Sequence, residues 1–477
     1  MAKKDKVMRV TFCGNNATEV TGSRTLLTVA ESQYLFECGL HQSSKSIWEE
    51  YKINSAKFDF KAKDIDAVFV GHAHSDHVNL LPLLVKRGFT GNIYIPKDNF
   101  DLMRILMEDC AHICDKDAEF LNRTGHSVEP LYTEEDVYLL MNKCETYSMN
   151  EIHKLDDVVS FQFVNAGHIL GSCQLVLYIK TPTGQVKKLH FTSDLGSIYN
   201  QQPFVPQKDI VTSSNFSMVE ATYNSLDRGF KSKKECDKER EEFKKFILSE
   251  LKNKRSILLG VFAQARQQTM MEFLYRNFKD DKDFNYNIYV DGVLGLNLNN
   301  VYLQVLEGED KKYWQEIMSW SKFQYIGSYE KSMEVACNKN EVKIVLSSSG
   351  MFSNGRIINH VKAMIENPNC TFVLAGYQGE GTVGHELQRV ETTEVKVEGM
   401  YYRKKCKIYQ MSTWSSHIQA QENINYMAQI KTPLIVLNHS DEENKYEFRD
   451  IVEEQLRSKN NSAKVVCASD KNNIFFV

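Results

Sequence analysis

The sequence predicts an α/β protein built from two domains. At 477 residues, the chain is longer than one compact domain of ordinary size. Short β-rich runs alternate with helical segments along most of it, which is typical of sheets covered by helices. Hydrophobic residues make up 42% of the chain and aromatic residues 11%, which is enough for sizeable cores and excludes a disordered composition.

In the first two hundred residues, β-rich runs broken by glycine and asparagine predict short strands. The strands predicted there are 7–14, 23–31, 32–39, 65–70, 92–96, 158–171, 173–181 and 187–196. Helical spacing predicts helices over 80–88 and 98–123, and Asp98 and Asn99 can cap the second of these.

From about residue 230, helices and strands are predicted to alternate regularly. The segments in order are helix 231–256, strand 257–263, helix 267–278 and strands 286–292 and 341–350. The charge pattern of the first helix predicts a solvated face. After the segment 393–411 the chain is predicted to return to short strands, ending with 433–441 and 463–470.

Charge, cysteine usage and apolar runs narrow the functional class. The net charge of −4 excludes a uniformly basic nucleic-acid coat but leaves room for a local basic groove. Eleven scattered cysteines without a C-x-x-C pair predict free thiols in a reducing compartment. The basic opening, 1–16, lacks the apolar segment of a secretion signal, and no run approaches the about 18 apolar residues of a membrane span. We therefore expect a cytoplasmic protein.

Residues 71–79, "GHAHSDHVN", place three of the chain's 13 histidines directly after a predicted buried strand. His72 and His74 can point to the same side of an extended loop, and Asp76 and His77 then face a second point. Two metals about 3.5 to 4 Å apart need two such ligand sets and a group that bridges them. The loop therefore predicts a metal site.

Three later positions can complete the ligand sets. His168 lies on a turn after a strand, Asp194 lies at a strand end where a carboxylate can bridge two cations, and His439 follows an apolar strand. Each of these alone is typical of a loop residue with ordinary hydrogen bonds. As an ordered series after the histidine loop, they are specific.

This series resembles the metallo-β-lactamase fold hydrolases, and the chain beyond Asp194 resembles their β-CASP group of nucleases. "VEATYNSLDR" is similar to that group's acidic motif and places Glu220; "MSTWSSHIQAQE" places His417, and "LIVLNHSDEE" places His439. The similarity covers nearly the whole chain, including "VTFCGNNATEVTGSRTLL" and "SSSGMFSNGR". It is greatest to RNA-processing nucleases related to the cleavage and polyadenylation endonuclease and its stand-alone prokaryotic relatives.

The resemblance implies an αββα metallo-β-lactamase sandwich formed by residues 1–208 and 401–477, with an α/β β-CASP insert at 209–400 and an active site in the cleft between them. It also implies two Zn²⁺ per chain and attack of a metal-bound hydroxide on the phosphodiester. The implied ligands are His72, His74 and His168 for one zinc, Asp76, His77 and His439 for the other, and Asp194 as the bridge.

The implied catalytic residues are Asp76, Glu220 and His417. His417, oriented by Glu220, would protonate the leaving sugar oxygen. The alternative for His417 is a structural histidine where the two domains meet. The alternative for Glu220 is a salt bridge at the domain boundary. The resemblance implies that Glu37 helps to orient the metal site, although the family usually has Asp at this position, and the extra methylene can alter activity.

Substrate contacts are predicted in the insert. Ser347, Ser348, Asn354 and Arg356 of "SSSGMFSNGR" could form a phosphate cradle, and Arg266 lies on a polar turn. The alternative for both segments is a polar turn after a buried strand. In "WSSH", Trp414 is larger than the aromatic residue that the family usually has at this position. None of the positions at which this chain departs from the family pattern is an implied zinc ligand.

The predicted function is a two-zinc phosphodiesterase that hydrolyses RNA as an endonuclease, a 5′ exonuclease or both. A histidine at position 439 favours RNA over DNA within the family, and the insert favours a polymeric substrate. The alternatives are a non-catalytic scaffold subunit of an RNA-processing complex and a DNA-acting nuclease. Because the sequence shows no appended RNA-binding module, we expect substrate choice to come from the cleft or from partners. The expected partner is either a second copy of the chain, in a homodimer, or an RNA-processing protein.

Overall fold

The computed structural model describes residues 8–42, 46–411 and 414–477. Residues 1–7 of the basic opening and two residues of "MSTWSSHIQAQE" lie outside these ranges. The strands are β1 Met8–Phe12, β2 Thr25–Val29, β3 Ser32–Phe36, β4 Ala67–Phe69, β5 Asn92–Pro96, β6 Cys144–Tyr147, β7 Ile152–Lys154, β8 Val159–Asn165, β9 Cys173–Lys180, β10 Val186–Phe191, β11 Phe216–Glu220, β12 Ser256–Gly260, β13 Ile288–Asp291, β14 Phe323–Ile326, β15 Ile344–Ser347, β16 Cys370–Leu374, β17 Glu394–Val397, β18 Met400–Arg403, β19 Lys407–Gln410, β20 Leu434–Asn438, β21 Lys464–Cys467 and β22 Ile474–Phe476.

Helices follow or separate these strands along the chain. They are α1 Ile47–Ser55, α2 Ser75–Val78, α3 Leu81–Lys86, α4 Phe100–Arg123, α5 Glu134–Met141, α6 Lys233–Lys252, α7 Arg266–Phe278, α8 Val293–Val305, α9 Gly308–Ser319, α10 Tyr329–Cys337, α11 Ile357–Met364, α12 Val383–Gln388, α13 Ala420–Met427 and α14 Lys445–Ser458. Within the described residues, no helix is both long and apolar enough to cross a bilayer.

The chain divides into two compact units. The first comprises the described residues of Met1–Gln201, Val205–Lys231 and Ser416–Val477, and the second comprises those of Gln202–Phe204 and Ser232–Ser415. The sequence-based limits of 209 and 400 stay a prediction of domain bounds, and the main segment of the second compact unit runs from Ser232 to Ser415.

The first unit is a sandwich of two sheets with the strand orders β22-β1-β2-β3-β4-β5-β6 and β21-β20-β11-β10-β9-β8-β7. Its core lies between the sheets, where Phe69 meets Phe161 and Phe36 meets Phe191 at ring-centroid distances of 5.2 and 5.5 Å. Helices α13 and α14 cover the outer face of the second sheet through a separate apolar cluster. This confirms the predicted sandwich class.

The second unit is built on a sheet with the order β14-β13-β15-β12-β16-β19, in which all neighbours are parallel. Its central strands β12, β15 and β16 are buried along their whole length. Strands buried on both faces are typical of parallel sheets that carry helices on each side. The predicted α/β alternation of this region is therefore confirmed.

Two helices correct the prediction that the chain returns to short strands after residue 411. α13 and α14 both lie beyond that point. In α14, Phe448, Val452 and Leu456 recur every four residues and are buried, while charged residues occupy the other faces. This spacing forms an amphipathic helix, and the many intervening charges obscured it in the sequence.

Candidate metal centre

Parallel strands bring several predicted site residues to one edge of the second sheet in the first unit. β10, β11 and β20 run parallel, so their carboxyl ends meet at that edge. Asp194 lies just beyond the end of β10, Glu220 is the last residue of β11 and His439 directly follows β20. β8 runs in the same direction, because β8 and β10 are both antiparallel to β9, and His168 lies just beyond its end.

The histidine loop follows the buried strand β4 and is held by backbone hydrogen bonds. The amides of Ser23 and Cys38 donate to the carbonyl oxygens of Asp76 and His77 over 2.8 and 2.9 Å. Gly39 permits this approach, because a Cβ atom there would lie 1.6 Å from the Asp76 carbonyl oxygen. The short helix α2 therefore presents Asp76 and His77 in fixed positions.

The first predicted ligand set forms a close group. Nδ1 of His74 lies 3.0 Å from Nε2 of His72 and 3.4 Å from Nε2 of His168. Oδ2 of Asp194 lies 3.5 Å from Nε2 of His72 and 3.6 Å from Nε2 of His168. One carboxylate and three imidazoles thus converge on one point.

The second predicted set forms an adjoining group that shares Asp194. Oδ2 of Asp76 lies 3.5 Å from Nε2 of His77 and 3.3 Å from Nε2 of His439. Asp194 lies 3.4 Å from Nε2 of His77 through Oδ2, and 3.3 Å from Nδ1 of His439 through Oδ1. Asp194 therefore contacts both groups, as a bridging ligand must.

The donor set fits divalent cations. Nδ1 of His72 and of His168 lie 3.1 and 3.2 Å from the hydroxyls of Ser193 and Ser416, so the Nε2 atoms face the centre. Across the described chain, buried Nε2 of His77 and Oδ1 of Asp194 find no hydrogen-bond partner. Buried polar atoms are normally satisfied, and converging imidazole and carboxylate groups suit a metal such as zinc.

The protonation states of the three histidines of the first group, and of both aspartates, favour cation binding. Burial lowers the pKa of His72 and His168 well below the usual range, and that of His74 to about 4. Burial alone would raise the pKa of both aspartates, but the neighbouring histidines bring that of Asp76 to about 2 and hold that of Asp194 well below its usual range. Neutral imidazoles and charged carboxylates are the forms that bind metals.

The second group attracts positive charge. Burial alone would lower the pKa of His77, but Glu37 and the aspartates raise it well above the usual range. Burial would also lower the pKa of His439, and Asp194 and Asp76 raise it. A divalent cation would supply this positive charge in place of the protons.

Glu37, which the resemblance implies as an orienting residue, contacts one of the predicted metal ligands directly. Its Oε2 lies 2.7 Å from Nδ1 of His77 and accepts the hydroxyl of Ser23 over 2.6 Å. Its Oε1 accepts the hydroxyl of Ser193, which also contacts His72. Gly71 leaves room for the longer acid, because a Cβ atom there would lie 2.6 Å from Oε1 of Glu37.

Hydroxyl residues complete this shell, and the sequence reasoning missed them. Ser193 contacts His72, Ser416 contacts His168, and Oγ1 of Thr222 lies 3.1 Å from Nδ1 of His439. The one available signal was position: Ser193 and Ser416 immediately precede Asp194 and His417 in the chain.

His417 and Glu220 are in direct contact at the edge of the centre. Nδ1 of His417 lies 3.1 Å from Oε1 of Glu220, whose carboxylate also accepts the amides of Leu195 and Thr222 over 2.9 and 3.0 Å. Nε2 of His417 lies 3.9 Å from Oδ2 of Asp194. Burial would lower the pKa of His417, but the carboxylate of Glu220 raises it to about 9.

The residues predicted to contact the substrate lie in the second unit. They are distant in sequence from the seven predicted metal ligands. Ser347 and Ser348 have buried hydroxyls that find no hydrogen-bond partner in the described chain, whereas Asn354 is exposed. The side chain of Arg266 donates to the carbonyl oxygen of Ala375.

Arg356 is engaged within its own unit. Its guanidinium donates to Oδ1 of Asp291 over 3.1 Å and to the carbonyl oxygens of Ile326, Gly327 and Ser328 over 3.1, 2.7 and 3.1 Å. These contacts fix the start of α11. A substrate-contact role for Arg356 stays a prediction.

Comparison with known proteins identifies three domains in the chain. The metallo-beta-lactamase superfamily model matches residues 18–111, the Beta-Casp domain model matches 267–387, and the model of the Zn-dependent metallo-hydrolase RNA specificity domain matches 401–463. The last model covers part of the region that returns to the first unit.

Similar proteins span most of the chain. Ribonuclease TTHA0252 of Thermus thermophilus is 26% identical over 437 residues, which are 90% of this chain and 92% of that protein. Transcription termination factor FttA of Methanocaldococcus jannaschii is 24% identical over 474 residues, 95% of this chain and 70% of that protein. An RNase J-like protein of the same organism is 27% identical over 358 residues, 75% of each chain.

A solved structure shares the fold. A protein of unknown function from Enterococcus faecalis V583 aligns with a TM-score of 0.52 at 13% identity, covering 99% of this chain and 100% of that one. At this identity the likeness concerns the fold alone.

Proposed function

Since the chain belongs to the β-CASP group of the metallo-β-lactamase superfamily, we propose that it is a ribonuclease that uses two zinc ions to hydrolyse phosphodiester bonds. The observation that carries this proposal is the position of Asp194, which contacts both groups of predicted ligands. A shared carboxylate between two imidazole sets is the arrangement that a two-metal hydrolase needs.

The chain's own residues would hold and orient the metals. The first zinc would be bound by His72, His74 and His168, and the second by Asp76, His77 and His439, with Asp194 between them. When bound, such a pair supplies Lewis acidity, which makes water a nucleophile at neutral pH and offsets charge on the phosphodiester.

His417 is suited to act as the general acid. With its pKa raised to about 9, the imidazole is protonated at neutral pH. Glu220 holds Nδ1, so Nε2 is directed towards Asp194 and can give its proton to a leaving sugar oxygen. Glu220 is itself fixed by two backbone amides, which makes it an orienting group rather than a proton carrier.

RNA is the favoured substrate. Relatives carry the names ribonuclease, RNase J-like protein and transcription termination factor, and a domain model named for RNA specificity matches residues 401–463. Retention of all seven predicted ligands opposes the scaffold alternative. We expect action on cytoplasmic RNA, by endonuclease cleavage, 5′ exonuclease cleavage or both, with a homodimer or RNA-processing partners left open.

The test is hydrolysis of matched RNAs labelled at the 5′ end or internally, with a DNA of the same sequence alongside. We expect RNA cleavage, its loss after chelation and its return with added zinc, at about two zinc ions per chain by metal analysis. Intact RNA with less than one zinc per chain would favour the scaffold alternative, and preferential DNA cleavage would favour the DNA-acting alternative.

A further inference from the structure

Two exposed aromatic side chains lie where adjacent strands of the second unit's sheet end. Phe262 follows β12 and is 42% exposed, and Tyr377 follows β16 and is 78% exposed. β12 pairs in parallel with both β15 and β16. The two aromatic loops and the loop after β15 therefore leave the sheet at the same edge, where ligands bind in open parallel sheets.

The loop after β15 ties both aromatic loops together. The Phe262 ring packs on Gly350, since a Cβ atom there would lie 3.1 Å from the ring. Nε2 of Gln378 donates to the carbonyl oxygens of Gly350 and Gly376, each over 3.1 Å. Tyr377 lies between Gly376 and Gln378 in the chain, and the carbonyl oxygen of Phe262 accepts the amide of Gln267 over 3.1 Å, so the backbone that carries each ring is held in place.

A flexible apolar residue lies beside this surface. Sδ of Met351 and Cε1 of Tyr377 lie 3.6 and 3.8 Å from the point where a Cβ atom of Gly379 would be. The absence of a side chain at Gly379 leaves the flank of the Tyr377 ring open. A flat group of nucleobase size can lie against such a ring.

Polar groups at the same edge lack partners. The buried hydroxyls of Ser347 and Ser348, and the buried amide oxygens of Gln264 and Gln378, make no hydrogen bond within the ranges that the structure describes. Because buried polar groups are normally paired, these four atoms favour a polar ligand or water at this edge. An occupant with both a flat apolar face and a polar backbone matches the two kinds of surface.

From this geometry we infer that Phe262 and Tyr377 stack on unpaired nucleobases of an RNA strand. The inference rests on the proposed ribonuclease function and names the feature of the substrate that the second unit recognises. Stacking on aromatic rings is sequence-tolerant, because every base has a π-face. The two rings would therefore select single-stranded RNA without selecting its sequence.

The test compares variants that remove the ring but keep apolar volume. Phe262→Leu and Tyr377→Leu, in the full-length chain, are expected to raise the Kd for a single-stranded RNA of about 12 nucleotides by roughly 5- to 150-fold. Phe262→Tyr keeps a ring and is expected to bind like the wild type. Tyr138→Leu is the matched control, because Tyr138 is 67% exposed on α5 of the other unit, and it should leave Kd unchanged.

A second RNA, with abasic sites along the strand, separates stacking from backbone contacts. The wild type should bind it more weakly, and the two leucine variants should bind it no more weakly than the wild type does. Leucine variants that bind ordinary RNA with wild-type Kd would overturn the inference, as would an equal loss on both RNAs. Because Kd is measured apart from cleavage, ring-dependent binding without hydrolysis would refute the ribonuclease proposal and leave the stacking result standing.

Discussion

In the first unit, β10, β11 and β20 end at the metal centre; in the second unit, β12, β15 and β16 end at the loops that carry Phe262 and Tyr377. Both are edges where parallel strands finish. At the first edge, most of the predicted ligand side chains are buried and several are oriented by a neighbour, as His77 is by Glu37. At the second edge, aromatic rings are exposed and buried hydroxyls lack partners.

The difference follows from what each edge would bind. A small cation needs ligands fixed in advance, because its coordination geometry tolerates little error. A polymer strand instead needs an extended surface with flat faces and polar groups. Arg356 supports this interpretation, because its guanidinium holds its own loop in place through Asp291 and three carbonyl oxygens.

The largest effect is expected from Asp194→Ala, which removes the group shared by both ligand sets. RNA turnover should fall by about a thousandfold or more, since several kcal/mol of transition-state stabilisation would be lost. Metal analysis should show loss of zinc, while circular dichroism should show a retained fold. His77→Ala should behave alike, and unchanged turnover in either variant would contradict the metal-centre assignment.

His417→Ala should have the next largest effect. Removal of a general acid costs about 10²- to 10⁴-fold in rate. His417 belongs to neither of the two proposed zinc-ligand sets, although with Asp194 and Glu220 it forms a third group that could hold a cation. We therefore expect slow RNA cleavage with near-normal zinc content. Loss of zinc in this variant would show that His417 is a ligand instead.

Glu37→Asp should produce a smaller change, because it alters how a ligand is oriented. The shorter acid retains the charge but draws back from His77, Ser23 and Ser193, which Glu37 now contacts. Loss of such an orienting contact typically costs about 10- to 100-fold in metal affinity or activity. Zinc titration of the purified variant measures this affinity. A zinc affinity equal to that of the wild type would show that aspartate and glutamate both reach the contacts that Glu37 makes.

The sequence predicted the ligands of the candidate metal centre but not the residues around them. The predicted ligands are histidines and aspartates that follow apolar strands, a pattern that local sequence displays, and the strand directions bring them together. Ser23, Ser416 and Thr222 act through their hydroxyl groups. Hydroxyl residues are common in loops, so only the folded chain distinguishes these three.

Long-range contacts in the second unit are also not visible in the local sequence. The arginine in "SSSGMFSNGR" resembles a phosphate ligand locally, but its partner Asp291 lies 65 residues earlier in the chain. Phe262 and Tyr377 follow different strands, and only the strand order brings their loops to one edge. Pattern reasoning therefore identifies the loops, whereas sheet topology determines which of them can act together.

His41 provides a reference for the metal centre, because it is a buried histidine with carboxylates on both sides. Its Nε2 and Nδ1 each lie 2.9 Å from a carboxylate oxygen, of Glu19 and Glu50 respectively. His77, by contrast, contacts Glu37 through Nδ1, while its Nε2 has no hydrogen-bond partner in the described residues. We expect His41 to respond to pH and not to chelation.

The smallest predicted effect is the pH dependence of stability that His41 confers. Burial alone would lower the pKa of His41, but hydrogen bonds to Glu19 and Glu50 raise it from 6.5 to about 9. The folded state therefore binds the proton more tightly, so this stabilisation is complete below pH 6.5 and is lost as pH rises towards about 9. The loss is at most about 1.4 kcal/mol per pH unit in the free energy of unfolding. Urea unfolding of wild type and His41→Gln at several pH values measures it, and a difference between them that stays constant across this range would refute the coupling.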